Sequence, residues 1–319
     1  MQDRQSRERR EEEDARIDWG IILSVMVLAI IGMLSIYVAA SHDTSTMSVP
    51  RTLISQAMWY AIGIGAIIFI MQFDAEQLWK VAPIAYGLGI TLLVLVLIFY
   101  SRAYALKTGA KSWLAFGPLT FQPSEVMKPA YILMLGRVVA QHNAEFYEHT
   151  IKTDWNLIGK LALWTLPVAV LLKLQNDFGT MLVFFAILSG VILVSGVSWK
   201  ILAPLFGGAA FLGTAGILLA VYGRNLLMAI GFKAYQFARI EAWLNPSAST
   251  TGNSYQLWQS MKAIGSGQLF GTGFNHSNVY VPVRESDMIF SVIGENFGFI
   301  GGCILIFIYL LLIFQMIQV

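Results

Sequence analysis

Eight apolar runs constrain this chain more than any other feature. They lie at about 19–40, 53–72, 79–100, 126–140, 157–173, 178–196, 199–222 and 288–317. A bilayer core about 30 Å thick takes roughly 17–25 apolar residues per crossing helix, so most runs are long enough to span and the fourth to sixth are short. None alternates with a period of two, which excludes barrel strands. Pro129 and Pro167 fall inside two of the runs, where neighbouring helices can satisfy the freed carbonyls. The expected fold class is all-α, a polytopic membrane helical bundle with eight transmembrane helices. Composition agrees. Charged residues make up 13% of the 319 and hydrophobic residues 56%, against about 25% charged in a soluble domain. An ordinary soluble enzyme and a disordered chain are both excluded. One cysteine, Cys303, rules out a disulfide framework and a cysteine-built metal site.

Residues 1–18 form a charge-dense tail, expected to be disordered. The apolar run after it is too long for the core of a signal peptide, so the first helix is an uncleaved anchor. The tail carries Arg4, Arg7, Arg9, Arg10 and Arg16, which places it in the cytoplasm by the positive-inside rule. With eight helices alternating sides, Lys and Arg in the tail and short inner loops outnumber those in short outer loops by roughly two to one. Residues 19–319 make one transmembrane domain, with a large extracellular loop at 223–286. That loop mixes basic residues with aromatics such as Trp243, Tyr255, Trp258 and Tyr280. It suits either an amphipathic segment in the headgroup layer or a solvated loop with an aromatic belt. The chain stops at Val319 within an apolar run, which reads as a chain cut short.

Charged groups at membrane depth are costly, so each needs a reason. Glu125 opens the fourth helix and Lys128 follows at i+3 on the same face; they read as an ion pair that aids insertion or as part of a site. Asp177 sits in the polar break Gln175-Asn176-Asp177, as a helix cap or as a functional group. Asp287 opens the last helix, again as cap or site. Glu295 lies about two turns deeper and demands a partner or water. With the tail inside, Glu125, Asp177 and Asp287 all fall at outer helix ends. A proton-coupled transporter would place its carboxylates nearer the midplane. Carboxylates at the outer mouth, with lysine below and basic loops above, suit an anionic headgroup presented from the outer leaflet. Lys or Arg would hold phosphate and a carboxylate would supply a base. The glycines at Gly265, Gly267, Gly271 and Gly273 lack the context of a P-loop and are expected to mark a bend. The four histidines are scattered and support no His-based metal site.

Four ordered motifs resemble the SEDS family (shape, elongation, division and sporulation). They are Gly109-Ala110-Lys111-Ser112-Trp113 with Gln122-Pro123-Ser124-Glu125 and Lys128; Asp177-Phe178-Gly179-Thr180; Ser254-Tyr255-Gln256 through Gly271; and Asp287-Met288-Ile289-Phe290 with Gly294-Glu295 and Gly298. Their wording is closer to the RodA branch than to FtsW. The chain departs from the family pattern at Val283, Ser286 and Asn176, and the family glutamate before the last helix is not transferred to Glu285.

The resemblance implies a ten-helix fold, of which eight helices are present and the last two absent. It implies an inverting peptidoglycan glycosyltransferase that polymerises lipid II on the outer face of the bacterial plasma membrane during elongation and shape maintenance. The expected partners are a class B penicillin-binding protein and the elongation machinery, with no nucleic acid. Asp287 would be the catalytic base, taking the proton of the acceptor 4-hydroxyl as that oxygen attacks C1 of the donor. Glu125, Lys128, Lys111, Asp177 and Arg284 would bind substrate. Lys111, Lys128, Arg284 or a divalent cation, Mg or Mn, would offset the charge of the leaving undecaprenyl diphosphate. No organic cofactor is expected. A lipid-linked precursor flippase and a non-catalytic scaffold remain as alternatives.

Overall fold

A computed structural model describes residues 18–42, 49–116, 119–146, 150–223, 244, 246–248 and 253–318. The expected N-terminal tail, apart from Asp18, and residues 224–243 of the expected extracellular loop lie outside these. The chain divides into two compact units, one of residues 1–66 with 216–319 and one of residues 67–215.

Each expected apolar run falls in a helix. In order these are α1 (Trp19–Ser41), α2 (Val49–Ile70), α3 (Ala75–Phe99), α5 (Pro123–Glu145), α6 (Ile151–Leu174), α7 (Phe178–Val194), α8 (Trp199–Tyr222) and α10 (Ile289–Gln318). Short α4 (Arg102–Thr108) and the strands β1 (Leu114–Phe116) and β2 (Leu119–Phe121) precede α5, and α9 (Asn253–Ser266) precedes α10. Six of the described helices, α1, α2, α3, α6, α8 and α10, are long and apolar enough to cross a membrane. The count is below eight for two reasons: α7 has only 17 residues, and α5 carries Glu125, Lys128, Arg137 and Glu145. Capping lengthens α6 beyond its apolar stretch. Thr150 Oγ1 accepts from Thr153 N at 3.3 Å, so a polar first turn joins the helix.

In the unit of residues 67–215, α5 packs on α3, α6 and α7. Its charged residues coexist with a buried face of Met127, Tyr131, Met134, Leu135 and Val138. Against this lie Leu93 of α3, Leu157, Leu161, Val168 and Leu172 of α6, and Phe184 of α7. Lipid offers little hydrophobic drive, so close packing and internal hydrogen bonds hold such helices together. Gly89 is one close approach, since a Cβ there would meet Met127 Sδ. Tyr86 Oη donates to Trp164 O at 2.6 Å, and the Tyr131 and Thr165 hydroxyls lie 2.6 Å apart. Where α5 ends and α6 begins, buried Asp154 accepts from Ser198 N at 3.0 Å.

In the other unit, α10 packs on α1 and α9. Val38, Ala39 and Val292 form its small buried cluster, and Ser24 Oγ donates to Gln315 Oε1 at 2.9 Å. The segment 223–286, expected to be a large loop, is therefore not all loop, since α9 lies within it. Gly298, at φ 65°, kinks α10. The backbone groups exposed by the kink are taken up by residues 268–273. Thr272 N and Gly273 N donate to Glu295 O (2.8 Å) and Asn296 O (3.2 Å), while Phe299 N and Ile300 N donate to Gln268 O (2.8 Å) and Leu269 O (3.2 Å). Backbone at membrane depth must be satisfied within the protein. Of the glycines expected to mark a bend, Gly271 and Gly273 thus help splice a broken helix, while Gly265 lies within α9. A Cβ at Gly271, whose φ is +86°, would strike Asn296 O, and one at Gly298 would strike Gly271 N.

Gly298→Ala should lower stability in detergent by about 1–3 kcal/mol, from backbone strain plus the clash. Gly265→Ala faces open space in α9 and should leave it equal or up to about 1 kcal/mol higher. Thermal unfolding followed by tryptophan fluorescence checks both.

Candidate active site

One end of the 67–215 unit gathers most of the expected binding residues. The chain leaves α3 and folds back, with Ser101 N donating to Trp113 O at 2.8 Å and the Tyr104 and Trp113 rings stacked at 6.0 Å. The antiparallel pair β1–β2 then delivers Gln122 as the N-cap of α5, with Pro123 in the first turn, a position whose missing N–H costs nothing. On the other side is the α6–α7 turn. Buried Gln175 donates from Nε2 to Leu93 O at 3.0 Å, and its own carbonyl accepts Lys111 N at 2.8 Å. Asn176, at φ 58°, makes the reversal, in the left-handed region that Asn tolerates. Two of the three polar residues of this break therefore have structural work that spacing alone did not reveal.

Asp177 does two things at once. Its Oδ1 caps α7 by accepting Thr180 N at 3.1 Å, and its Oδ2 accepts Gln122 Nε2 at 3.2 Å. The cap interpretation is thus correct in part, and the second oxygen ties the start of α7 to the start of α5. Glu125 and Lys128 form the expected i,i+3 pair, with Nζ 2.7 and 2.8 Å from the two carboxylate oxygens. Glu125 is 57% exposed and Lys128 26%, so the pair faces outward from the unit. Partly buried Lys111 holds its ammonium 5.2 Å from the Tyr100 ring centroid, a cation–π distance.

Asp287 and Arg284 belong to the other unit. Asp287 lies in the turn of residues 282–288, ahead of α10, which starts at Ile289; it does not open the helix as expected. It is exposed, and among the described residues its carboxylate has no hydrogen bond or ion pair.

Arg284 departs from expectation. Expected to bind substrate, it is instead 2% exposed and turned inward. Its Nη1 donates to Ser277 Oγ at 2.6 Å and its Nη2 lies 3.6 Å from Glu295 Oε2. The reason is the carboxylate at depth. Glu295, 1% exposed, needs a counter-charge. It also accepts Asn278 N at 2.6 Å, Val279 N at 3.0 Å and Ser277 Oγ at 3.2 Å. The demand for a partner was visible in sequence, and a signal to its identity existed: Arg284 is the one Lys or Arg after Lys262.

Among the described residues no three His, Cys, Asp or Glu side chains gather to hold a cation.

Residues 18–319 match a family model described as cell cycle protein, covering FtsW, RodA and SpoVE. Relatives include the "Probable peptidoglycan glycosyltransferase FtsW" of Neisseria gonorrhoeae, 30% identical over 92% of this chain and 68% of that protein. The protein of the same name from Alkalilimnicola ehrlichii is 29% identical over 95% of this chain and 72% of its own. Among solved structures, one described as "Structural coordination of polymerization and crosslinking by a peptidoglycan synthase complex" superposes with a TM-score of 0.70 at 27% identity, covering 94% of this chain and 77% of that one. The rod shape determining protein RodA of Thermus thermophilus gives 0.59 at 26% identity, covering 94% and 74%. With six apolar helices and this match over nearly its whole length, the chain is a multi-pass membrane protein of the SEDS family, the FtsW/RodA/SpoVE family of cell cycle proteins.

Proposed function

We propose that this chain is a peptidoglycan glycosyltransferase that polymerises lipid II, with Asp287 as the general base. The names of its relatives support the reaction class. One observation supports the base. Of the four carboxylates singled out in sequence, Glu125 is held by Lys128, Asp177 by Thr180 and Gln122, and Glu295 is buried against Arg284. Asp287 alone is exposed with neither oxygen engaged among the described residues.

In the reaction, Asp287 accepts the proton of the acceptor N-acetylglucosamine 4-hydroxyl as that oxygen bonds to C1 of the donor N-acetylmuramic acid. The C1–O bond to diphosphate breaks, the anomeric centre inverts, and undecaprenyl diphosphate leaves. A carboxylate serves as base here because the hydroxyl proton becomes more acidic as the C–O bond forms. The leaving diphosphate needs positive charge, and Lys111 and Lys128 are the cations of the 67–215 unit suited in chemistry to bind it. Arg284 is taken out of that role by its burial.

The working face is the outer one, with the N-terminus in the cytoplasm, and the role is in elongation beside a class B penicillin-binding protein. The rod shape determining neighbour supports a role in elongation, and the synthase-complex neighbour, in which polymerization and crosslinking are coordinated, supports a crosslinking partner. The FtsW names of the curated relatives support division instead, and a cell-shape readout separates the two.

Asp287→Asn should reduce polymerisation of purified lipid II, in the presence of the cognate transpeptidase, by at least about 10²-fold. In depleted cells it should fail to restore rod shape. Near-normal polymer from a folded protein overturns the base assignment, as the scaffold alternative predicts; transport of labelled lipid II across proteoliposome membranes would instead favour the flippase; filamentation in place of rounding assigns the role to division. Asp177→Ala should cost about 0.5–2 kcal/mol in thermal unfolding, and Asp177→Asn far less, because Asn keeps the cap. In a Cys303→Ser background, His276→Cys, at an exposed position, should react with an impermeant maleimide in intact cells. Labelling only after lysis inverts the topology.

A further inference from the structure

Asp287 is exposed, but the chain on both sides of it is held. Downstream, α10 begins two residues later. Upstream, Arg284 is buried three residues away, close enough along the chain to restrict Asp287 to about 10 Å from that anchor. Arg284 is fixed by Ser277 Oγ and Glu295. The same Glu295 carboxylate also holds Asn278 N and Val279 N, so one side chain of α10 grips both ends of residues 278–284. Val281 within this stretch is 1% exposed. Val283 has φ 55°, a conformation that a β-branched residue adopts only where its surroundings over-determine it.

Resting on the assignment of Asp287 as base, we propose that Glu295 and Arg284 are positioning residues of the glycosyl transfer: the buried pair, bridged by Ser277, sets where the Asp287 carboxylate stands. Neither touches the sugars. The pair acts through the backbone of residues 284–287, and it lies on the segment of α10 whose carbonyls are spliced to residues 272–273. Aim at the acceptor hydroxyl is thereby linked to the kink at Gly298. A base misplaced by about 1 Å loses up to about 10²-fold in rate, so the pair belongs in kcat and not in substrate affinity.

The test is Glu295→Gln in the full chain, assayed with lipid II and the transpeptidase partner. Gln Oε1 still accepts Asn278 N and Val279 N while the ion pair is lost. The expected result is a kcat lower by about 10- to 100-fold, a KM for lipid II within about threefold, and part of the activity recovered in Glu295→Asp. Ser277→Ala, a milder change that keeps the proposal testable should Glu295→Gln fail to fold, should lower kcat by about fivefold, the size of one hydrogen bond. A double-mutant cycle then asks whether the effect runs through the base. Adding Glu295→Gln to Asp287→Asn should cost nothing beyond Asp287→Asn alone. A KM effect at constant kcat, a lower folded yield with unchanged specific activity, or full additivity in the cycle each overturns the positioning role while leaving the base in place. An active Asp287→Asn with an inactive Glu295→Gln overturns the base assignment, and this proposal with it.

Discussion

A carboxylate in an apolar surround must have a counter-charge, and α10 is organised around that demand. Glu295 is buried, and Arg284, Ser277 and two backbone N–H groups come to it. Burying such a pair does not by itself favour folding, because the desolvation of both ions is large; removing one partner is what costs. Its value lies in specificity. One arrangement of residues 277–284 satisfies the carboxylate, and that arrangement fixes the neighbouring turn.

The same rule governs the backbone. Gly298 breaks α10, and a break in lipid would leave carbonyl and N–H groups bare. Residues 268–273 supply partners, and Gly271 is what lets the two backbones come so close. Glu295 and the splice occupy the same stretch of helix, with the side chain gripping one segment and the main chain another. At one end of the 67–215 unit, polar residues are similarly shared. Asp177 caps α7 with one oxygen and reaches Gln122 with the other, and Gln175 joins α3 to the Lys111 loop. Of the carboxylates singled out in sequence, Glu125, Asp177 and Glu295 are thus committed to partners, which leaves Asp287 as the one exposed with both oxygens open among the described residues.

The apolar runs, the all-helical class and the motifs that resemble the SEDS family were legible from residue order alone, because lipid imposes a length and a composition on any crossing helix. Helix ends were less legible. Capping by Thr150 extends α6 past its apolar stretch, and α10 begins after Asp287, not at it. The Glu125–Lys128 pair was readable because i,i+3 neighbours meet on any helix.

What sequence by itself determined, then, was local and periodic: which stretches cross, that Glu295 needs a partner, and which carboxylates stand at helix ends. Tertiary structure alone decided how those charges are spent. Arg284 reads as an outer-loop cation open to phosphate, yet folding turns it inward, because the cost of leaving Glu295 uncompensated exceeds that of desolvating a guanidinium beside it. Gly267 to Gly273 read as a bend, yet they repair a helix, because hydrogen bonds between segments distant in sequence leave no periodic trace. The exposure of Asp287 follows from both: its neighbours are anchored, and its own carboxylate is left open.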